Sequence, residues 1–143
     1  MDVSYALLAP VSVLVIWTLI MLFVAAYRIT KGVKSAGKIE GLPKNPRGRD
    51  LDGKIDEAVT SSRQNYEHLV EQPTLFYAVV ISLAVIGADH PINVGLAWGY
   101  VALRIGHSLA QSLGKGRAFW FLSSTLVLLA LAIHLAMEVV HHL

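Results

Sequence analysis

Apolar residues dominate two long stretches of the chain. Val3–Tyr27 holds 25 residues without a formal charge, and Ala118–Met137 holds 20. As a helix that rises about 1.5 Å per residue, each can cross a hydrocarbon core about 30 Å thick. Two shorter apolar runs, Gln72–Ala88 and Ile92–Leu103, reach that length only by continuing into polar sequence. The pattern predicts a single all-α membrane domain over residues 1–143, an integral four-helix bundle with helices over about 4–27, 58–87, 91–113 and 117–140.

The balance of residue types agrees with a membrane environment. The chain is 55% hydrophobic and only 15% charged, whereas soluble domains contain about 25% charged residues. It has no cysteine, which excludes disulfides, thiolate metal sites and a cysteine nucleophile. We therefore expect an integral membrane protein in contact with the lipid bilayer, and nothing in the sequence predicts a nucleic-acid partner.

The basic residues fall on one side of the predicted bundle. Eight of the twelve lie between Arg28 and Lys54, in a predicted loop over residues 28–57. The others lie between the last two spans, or near the span ends that face these loops: Arg63, Arg104, Lys115 and Arg117. Lysine and arginine concentrate on the cytoplasmic side of membrane proteins. The loop is therefore predicted to be cytoplasmic, and both termini non-cytoplasmic.

The predicted loop is rich in residues that interrupt helices. It contains five glycines and two prolines, which favour turns. One interpretation is a solvated connection that contacts lipid headgroups and sets the topology. The other is a lid over a site that faces the cytoplasm, and the sequence leaves both open.

Polar and charged residues share one face of the second predicted span. Gln64, His68 and Glu71 are spaced i, i+4 and i+7, so they lie on the same side of a helix. Beside them, Arg63 and Glu67 form an i, i+4 pair of opposite charge.

A second polar face occurs in the third predicted span. Its members are spaced i, i+3, i+4 and i+7, namely Arg104, His107, Ser108 and Gln111. Because a lone charge in the middle of a membrane helix costs about 2.5–3.5 kcal/mol, we expect the two faces to meet and to line a polar cavity open to the cytoplasm. The alternative is a network of structural ion pairs without a ligand. No recognised metal-ligand spacing is present.

Two further features concern helix packing. Gly95 and Gly99 form a Gly-xxx-Gly pair, continued by Ala102 and Gly106, of the kind that lets membrane helices approach closely. His134 is expected near the outer interface or hydrogen-bonded to a neighbouring helix.

Two segments of the chain resemble a known family. Asn65–Tyr77 reads NYEHLVEQPTLFY and Ala97–Ser108 reads AWGYVALRIGHS. Together they are similar to the MAPEG family, the membrane-associated proteins of eicosanoid and glutathione metabolism, and most of all to its bacterial members. The resemblance implies a four-helix bundle that forms a homotrimer in the bacterial inner membrane. In enzymatic members, it implies glutathione bound between subunits near the cytoplasmic side.

The resemblance also implies a set of glutathione-binding residues. Glu71 matches the family's glutamate, whereas His68 and Gln64 stand where an asparagine and an arginine are expected. Arg63 and Asn65 are of the right types but out of register. On the third span, Arg104 and His107 match the family's residues, and Gln111 stands where the eicosanoid synthases have a tyrosine. The implied set is Arg63, Asn65, His68, Glu71, Arg104, His107, Ser108 and Gln111.

The arginine that activates the glutathione thiol in the enzymes falls at Phe121 in this chain. Arg117, one turn earlier, is the available substitute and is therefore the predicted catalytic residue. A nearby guanidinium favours the thiolate electrostatically.

Three hypotheses follow for the function. The first is a glutathione-dependent transferase or peroxidase that acts on lipophilic electrophiles from the bilayer, with glutathione as co-substrate. The second is a non-enzymatic membrane protein of the same fold, which holds a lipid, another lipophilic small molecule or a protein partner. The third is a small transporter, which is the weakest because the first span lacks the buried acid that small four-helix exporters use.

Overall fold

Helices make up nearly all the regular structure of the chain. The computed structural model describes residues 3–112 and 118–143. Within them, a short 3₁₀ turn over Gly48–Leu51 accompanies five helical segments: α1 (Tyr5–Ala36), α2 (Glu57–Glu71), α3 (Pro73–Val85), α4 (Pro91–Ser112) and α5 (Ala118–His141). The predicted all-α bundle is confirmed.

The segments α2 and α3 together form the second predicted span. Gln72, between them, keeps helical dihedral angles (φ −70°, ψ −39°), so the chain continues in the same direction. Pro73 has no N–H to donate to the preceding turn, and this interrupts the hydrogen-bond ladder without ending the rod. Asp56 begins α2 by accepting a bond from the Ala58 amide at 2.8 Å, as N-caps do.

The first helix is longer than the predicted segment 4–27. It continues to Ala36 and ends at Gly37, whose φ of 65° suits glycine. The extension packs against α2, where Arg28 donates to the Ser62 hydroxyl at 2.8 Å. The loop therefore begins later than predicted, because this contact keeps a charged stretch helical.

Three helices are long and apolar enough to cross a membrane, among the described residues. They are Tyr5–Ala36, Glu57–Val85 and Ala118–His141, so the protein is an integral membrane protein. The remaining predicted span, the third in chain order, is α4, whose polar residues lower its hydropathy. Its 22 residues rise about 33 Å, so crossing by α4 is possible by length and stays a prediction.

The core of the bundle is apolar and aromatic. Phe76 of α3 stacks on Tyr100 of α4 with ring centroids 4.3 Å apart. Leu7 and Leu14 of α1, and Leu131 of α5, are fully buried in the same cluster. Large apolar side chains also cover much of the outside, as expected of a surface that faces lipid.

Candidate functional site

The two ends of the bundle differ in charge. At one end, the Ser4 amide donates to the Ala84 carbonyl, and His134 of α5 lies 2.6 Å from the Asn93 side chain of α4. Of the two alternatives expected for His134, the structure shows the hydrogen bond to a neighbouring residue. All the described lysines and arginines lie towards the other end, which we call the basic end.

A polar cavity opens on the outward side of α2 at the basic end. Its volume is about 750 Å³, and we call it the outer cavity. The predicted face of Gln64, His68 and Glu71 lines one wall. Further residues complete the lining, namely Arg49, Asp52, Arg63, Glu67 and Val70.

Arg63 is the centre of charge in the outer cavity. Its guanidinium donates to both carboxylate oxygens of Asp52, at 2.6 and 2.8 Å, and to Glu67. The predicted Arg63–Glu67 pair is therefore confirmed. Both bonds to Asp52 come from Nη2, while Nη1 donates to Glu67, so the guanidinium joins two carboxylates.

Asp52 reaches Arg63 because the loop folds back over α2. It follows the 3₁₀ turn, whose Gly48 passes so close to Arg63 that a Cβ there would lie 2.5 Å from Cδ. Arg49, in the same turn, also lines the cavity. This part of the loop therefore packs on α2 beside the outer cavity, and both interpretations of the loop stay predictions.

His68 and Glu71 form a second, weaker contact on the cavity wall. The His68 Nδ1 and a Glu71 carboxylate oxygen are 3.4 Å apart. Both side chains are partly exposed, so they remain accessible from the cavity. The Glu71 carboxylate contacts the Nδ1 edge of the imidazole, and the ring lies between α2 and α4.

The polar face of α4 is buried against α2. Arg104 is 1% exposed, and its guanidinium donates to the His68 carbonyl at 2.6 Å. It also lies 3.3 Å from His107 Nδ1. The Asn65 amide donates to the Ser108 hydroxyl at 2.8 Å, and Ser61 donates to the Gln111 carbonyl.

The two predicted faces therefore meet, but among their described residues just His68 and His107 line a common pocket. Asn65, Arg104, Ser108 and Gln111 fill the space between the helices and line neither the outer cavity nor the pocket described next. The charged residues of the α2 face and the α4 face do not neutralise one another either. Arg104 has no carboxylate within 4.0 Å among the described residues, and Glu71, the acid of the predicted α2 face, contacts His68 instead.

A smaller pocket lies where α2, α4 and α5 come together. It has a volume of about 230 Å³ and is lined by His68, His107, Ala118 and Phe121. We call it the inner pocket. The two imidazoles are roughly parallel, with ring centroids 6.1 Å apart, and Phe121 approaches His107 edge-on at 6.4 Å. The pocket thus combines imidazole groups with an apolar wall.

A model of the MAPEG family matches residues 7–137 of the chain. The chain belongs to the MAPEG family. No curated protein and no solved structure is significantly similar to it. The match covers nearly the whole chain and all five helical segments, so the membrane helical bundle of this MAPEG protein is a family property.

The predicted site residues of this MAPEG protein fall into three groups. Arg63, His68 and Glu71 line the outer cavity, and His107 lines the inner pocket with His68. The other predicted binding residues are buried between α2 and α4. The predicted catalytic residue, Arg117, lies outside the described residues.

Sequence reasoning missed Arg49 and Asp52. Both come from the loop, which has no helical periodicity to place them next to α2. The available signal was the acid-rich stretch before α2, but its partner could not be chosen from spacing alone. The loop residues matter because they supply the outer cavity with a cation and an anion on the side facing α2.

Proposed function

We propose that this MAPEG protein binds glutathione in the outer cavity and transfers it to lipophilic electrophiles. The observation that carries the proposal is the mixture of charges around that cavity. Glutathione has two carboxylates, one ammonium group and a thiol. Arg49 and Arg63 suit the carboxylates, while Glu67 and Glu71 suit the ammonium group.

Arg63 is the principal anchor in this proposal. Its Nε is buried and its other two nitrogens donate to Asp52 and Glu67, so a ligand would bind by competing with these carboxylates. Asp52 is partly exposed, and a ligand carboxylate could replace it on the guanidinium. A bound ligand would then either release the loop from α2 or share the Arg63 guanidinium with Asp52.

The homotrimer and the orientation belong to the same proposal. A Cβ at Gly95 or Gly99 would meet nothing within 4 Å in the protomer, which leaves a flat helix face for a neighbour. A cyclic trimer joins two different surfaces of each subunit, and the outer cavity is a second open surface. The basic end faces the cytoplasm, by the distribution of lysine and arginine.

Binding without catalysis is the second candidate function. Phe121 favours it, since this uncharged side chain lines the inner pocket where the enzymatic members are expected to have an arginine. A cation at that place would stabilise a thiolate. Without it, the fold could hold an anionic thiol peptide or a lipid and leave it unchanged.

Calorimetry on the purified protein in detergent tests the proposal, followed by conjugation of a generic electrophile. Arg63→Gln should weaken glutathione binding about tenfold or more, the equivalent of about 1.4 kcal/mol. Arg47→Gln is the matched control, because Arg47 is exposed in the same loop and does not line the cavity. No binding at millimolar glutathione would end the proposal, and binding without turnover would favour the second candidate.

A further inference from the structure

His68 is shared by the two cavities of the site. It lines the outer cavity together with Arg63 and Glu71, and it also lines the inner pocket together with His107 and Phe121. One imidazole therefore separates a polar space suited to a charged peptide from a smaller space with an apolar wall. A thiol in the first and an electrophile in the second would meet at this ring.

The orientation of the ring is set from several sides. Glu71 contacts Nδ1 at 3.4 Å, which directs Nε2 away from that carboxylate. The backbone of His68 is held by Arg104, whose guanidinium donates to its carbonyl at 2.6 Å. On the α4 side, the His107 ring limits how far the imidazole can turn. A general base needs a group that orients it on one side and room for the reacting atom on the other. Here the Glu71 carboxylate lies on one side of the imidazole and the cavities lie on the other.

We propose that His68 is the general base that takes the proton from the glutathione thiol, with Glu71 as its positioning residue. This inference rests on the proposed glutathione-dependent function. An imidazole would thus activate the glutathione thiol, the role that an arginine has in the enzymatic members. Phe121, on the opposite wall of the inner pocket, carries no charge that could stabilise a thiolate.

The step is written for an α,β-unsaturated carbonyl compound, whose apolar tail suits the wall of Ala118 and Phe121. His68 Nε2 accepts the thiol proton, and the sulfur forms a bond to the β-carbon. The electrons of the carbon–carbon double bond move towards the carbonyl oxygen as an enolate. The imidazolium then returns its proton to the α-carbon. The addition has no leaving group and needs no oxidant or reductant.

Several charged and titratable groups surround His68. Glu71 lies on its own helix, and Arg104 and His107 face it from α4. The lining residues from α5 are uncharged, namely Ala118 and Phe121. The outer cavity adds Arg49, Asp52, Arg63 and Glu67. A test by pH must therefore compare variants that change only the imidazole or only its carboxylate.

The experiment measures glutathione binding and the rate of addition to an apolar enone across a range of pH, with the uncatalysed rate subtracted. His68→Gln should lower kcat about 100-fold or more near neutral pH, the range found for general bases, with little change in the glutathione Kd. The loss should shrink at a pH above about 8.5, where thiols ionise unaided. Glu71→Gln should show a smaller loss of the same kind.

His134→Gln is the matched control, since this histidine lies at the opposite end of the bundle. Circular dichroism and gel filtration confirm that each variant is folded. If the wild type turns over and His68→Gln keeps its rate and pH profile, the role of His68 is refuted while the proposed function stands. A loss of binding rather than of kcat would also refute it. Failure of the wild type to bind glutathione would instead refute the proposed function.

Discussion

The contact between Gly106 and Trp120 fixes where α5 begins beside α4. A Cβ added at Gly106 would lie 2.5 Å from Cζ3 and 2.7 Å from Cε3 of the Trp120 ring. These distances are far below an ordinary van der Waals contact of about 3.5–4.0 Å. The indole is a rigid ring, so relief requires movement of Trp120 or of α5 itself. Ala118 and Phe121, which line the inner pocket, would move with it.

The expected cost of Gly106→Ala follows from two opposing effects. Overpacking a tight contact costs about 1–3 kcal/mol, whereas alanine gains up to about 1 kcal/mol over glycine in a helix interior. The net destabilisation is therefore about 0–3 kcal/mol. In a Trp120→Leu background the ring is gone, and only the gain in helix propensity should remain. The two changes should thus couple by about 1–3 kcal/mol.

Reversible unfolding in mixed detergent micelles, followed by far-ultraviolet circular dichroism, measures all four members of this double-mutant cycle. Trp120→Leu alone provides the control for loss of the ring. Should Gly106→Ala have the same effect with and without Trp120, the close contact would not exist as described. A stabilising effect of Gly106→Ala in the wild-type background would contradict it as well.

Three further predictions concern the loop, the buried polar contacts and the topology. Asp52→Asn removes the ion pair with Arg63, which should lower stability by about 1 kcal/mol and speed limited proteolysis of residues 37–56. Equal cleavage rates would contradict a loop held on α2 by this pair. Asn65→Ala removes the buried bond to Ser108 and should cost about 1–3 kcal/mol, measured by the same unfolding assay; a neutral result would mean the bond is not made. A periplasmic reporter fused after Leu143 should be active, whereas activity of a cytoplasmic reporter there would overturn the orientation.

The polar site shows how local and tertiary information differ. Arg63 and Glu67 are one turn apart on the same helix, so their pairing follows from helical geometry alone. The face of Gln64, His68 and Glu71 is predictable in the same way. Asp52 is different, because it enters through a loop whose path depends on the 3₁₀ turn and on the closeness of Gly48 to Arg63.

Which charged side chains pair with one another also depends on the tertiary structure. The sequence indicates that acids and bases lie at one depth, and that such groups should offset one another in a membrane. It does not say which pairs form, since that depends on the rotation of each helix about its axis. In the fold, Arg104 turns to the carbonyl of His68 near the break at Pro73. Glu71 turns instead to its own neighbour, His68.

The sequence by itself determined the membrane class, the order of the helices, the charged end and the residues that share each helical face. These depend on hydropathy and on the fixed period of a helix, which are properties of the chain read locally. Only the tertiary structure decided the extension of α1 to Ala36, the loop over Arg63 and the separation of the site into two cavities. These features depend on contacts between distant residues, where small differences in helix rotation and loop path choose among pairings that the sequence permits equally.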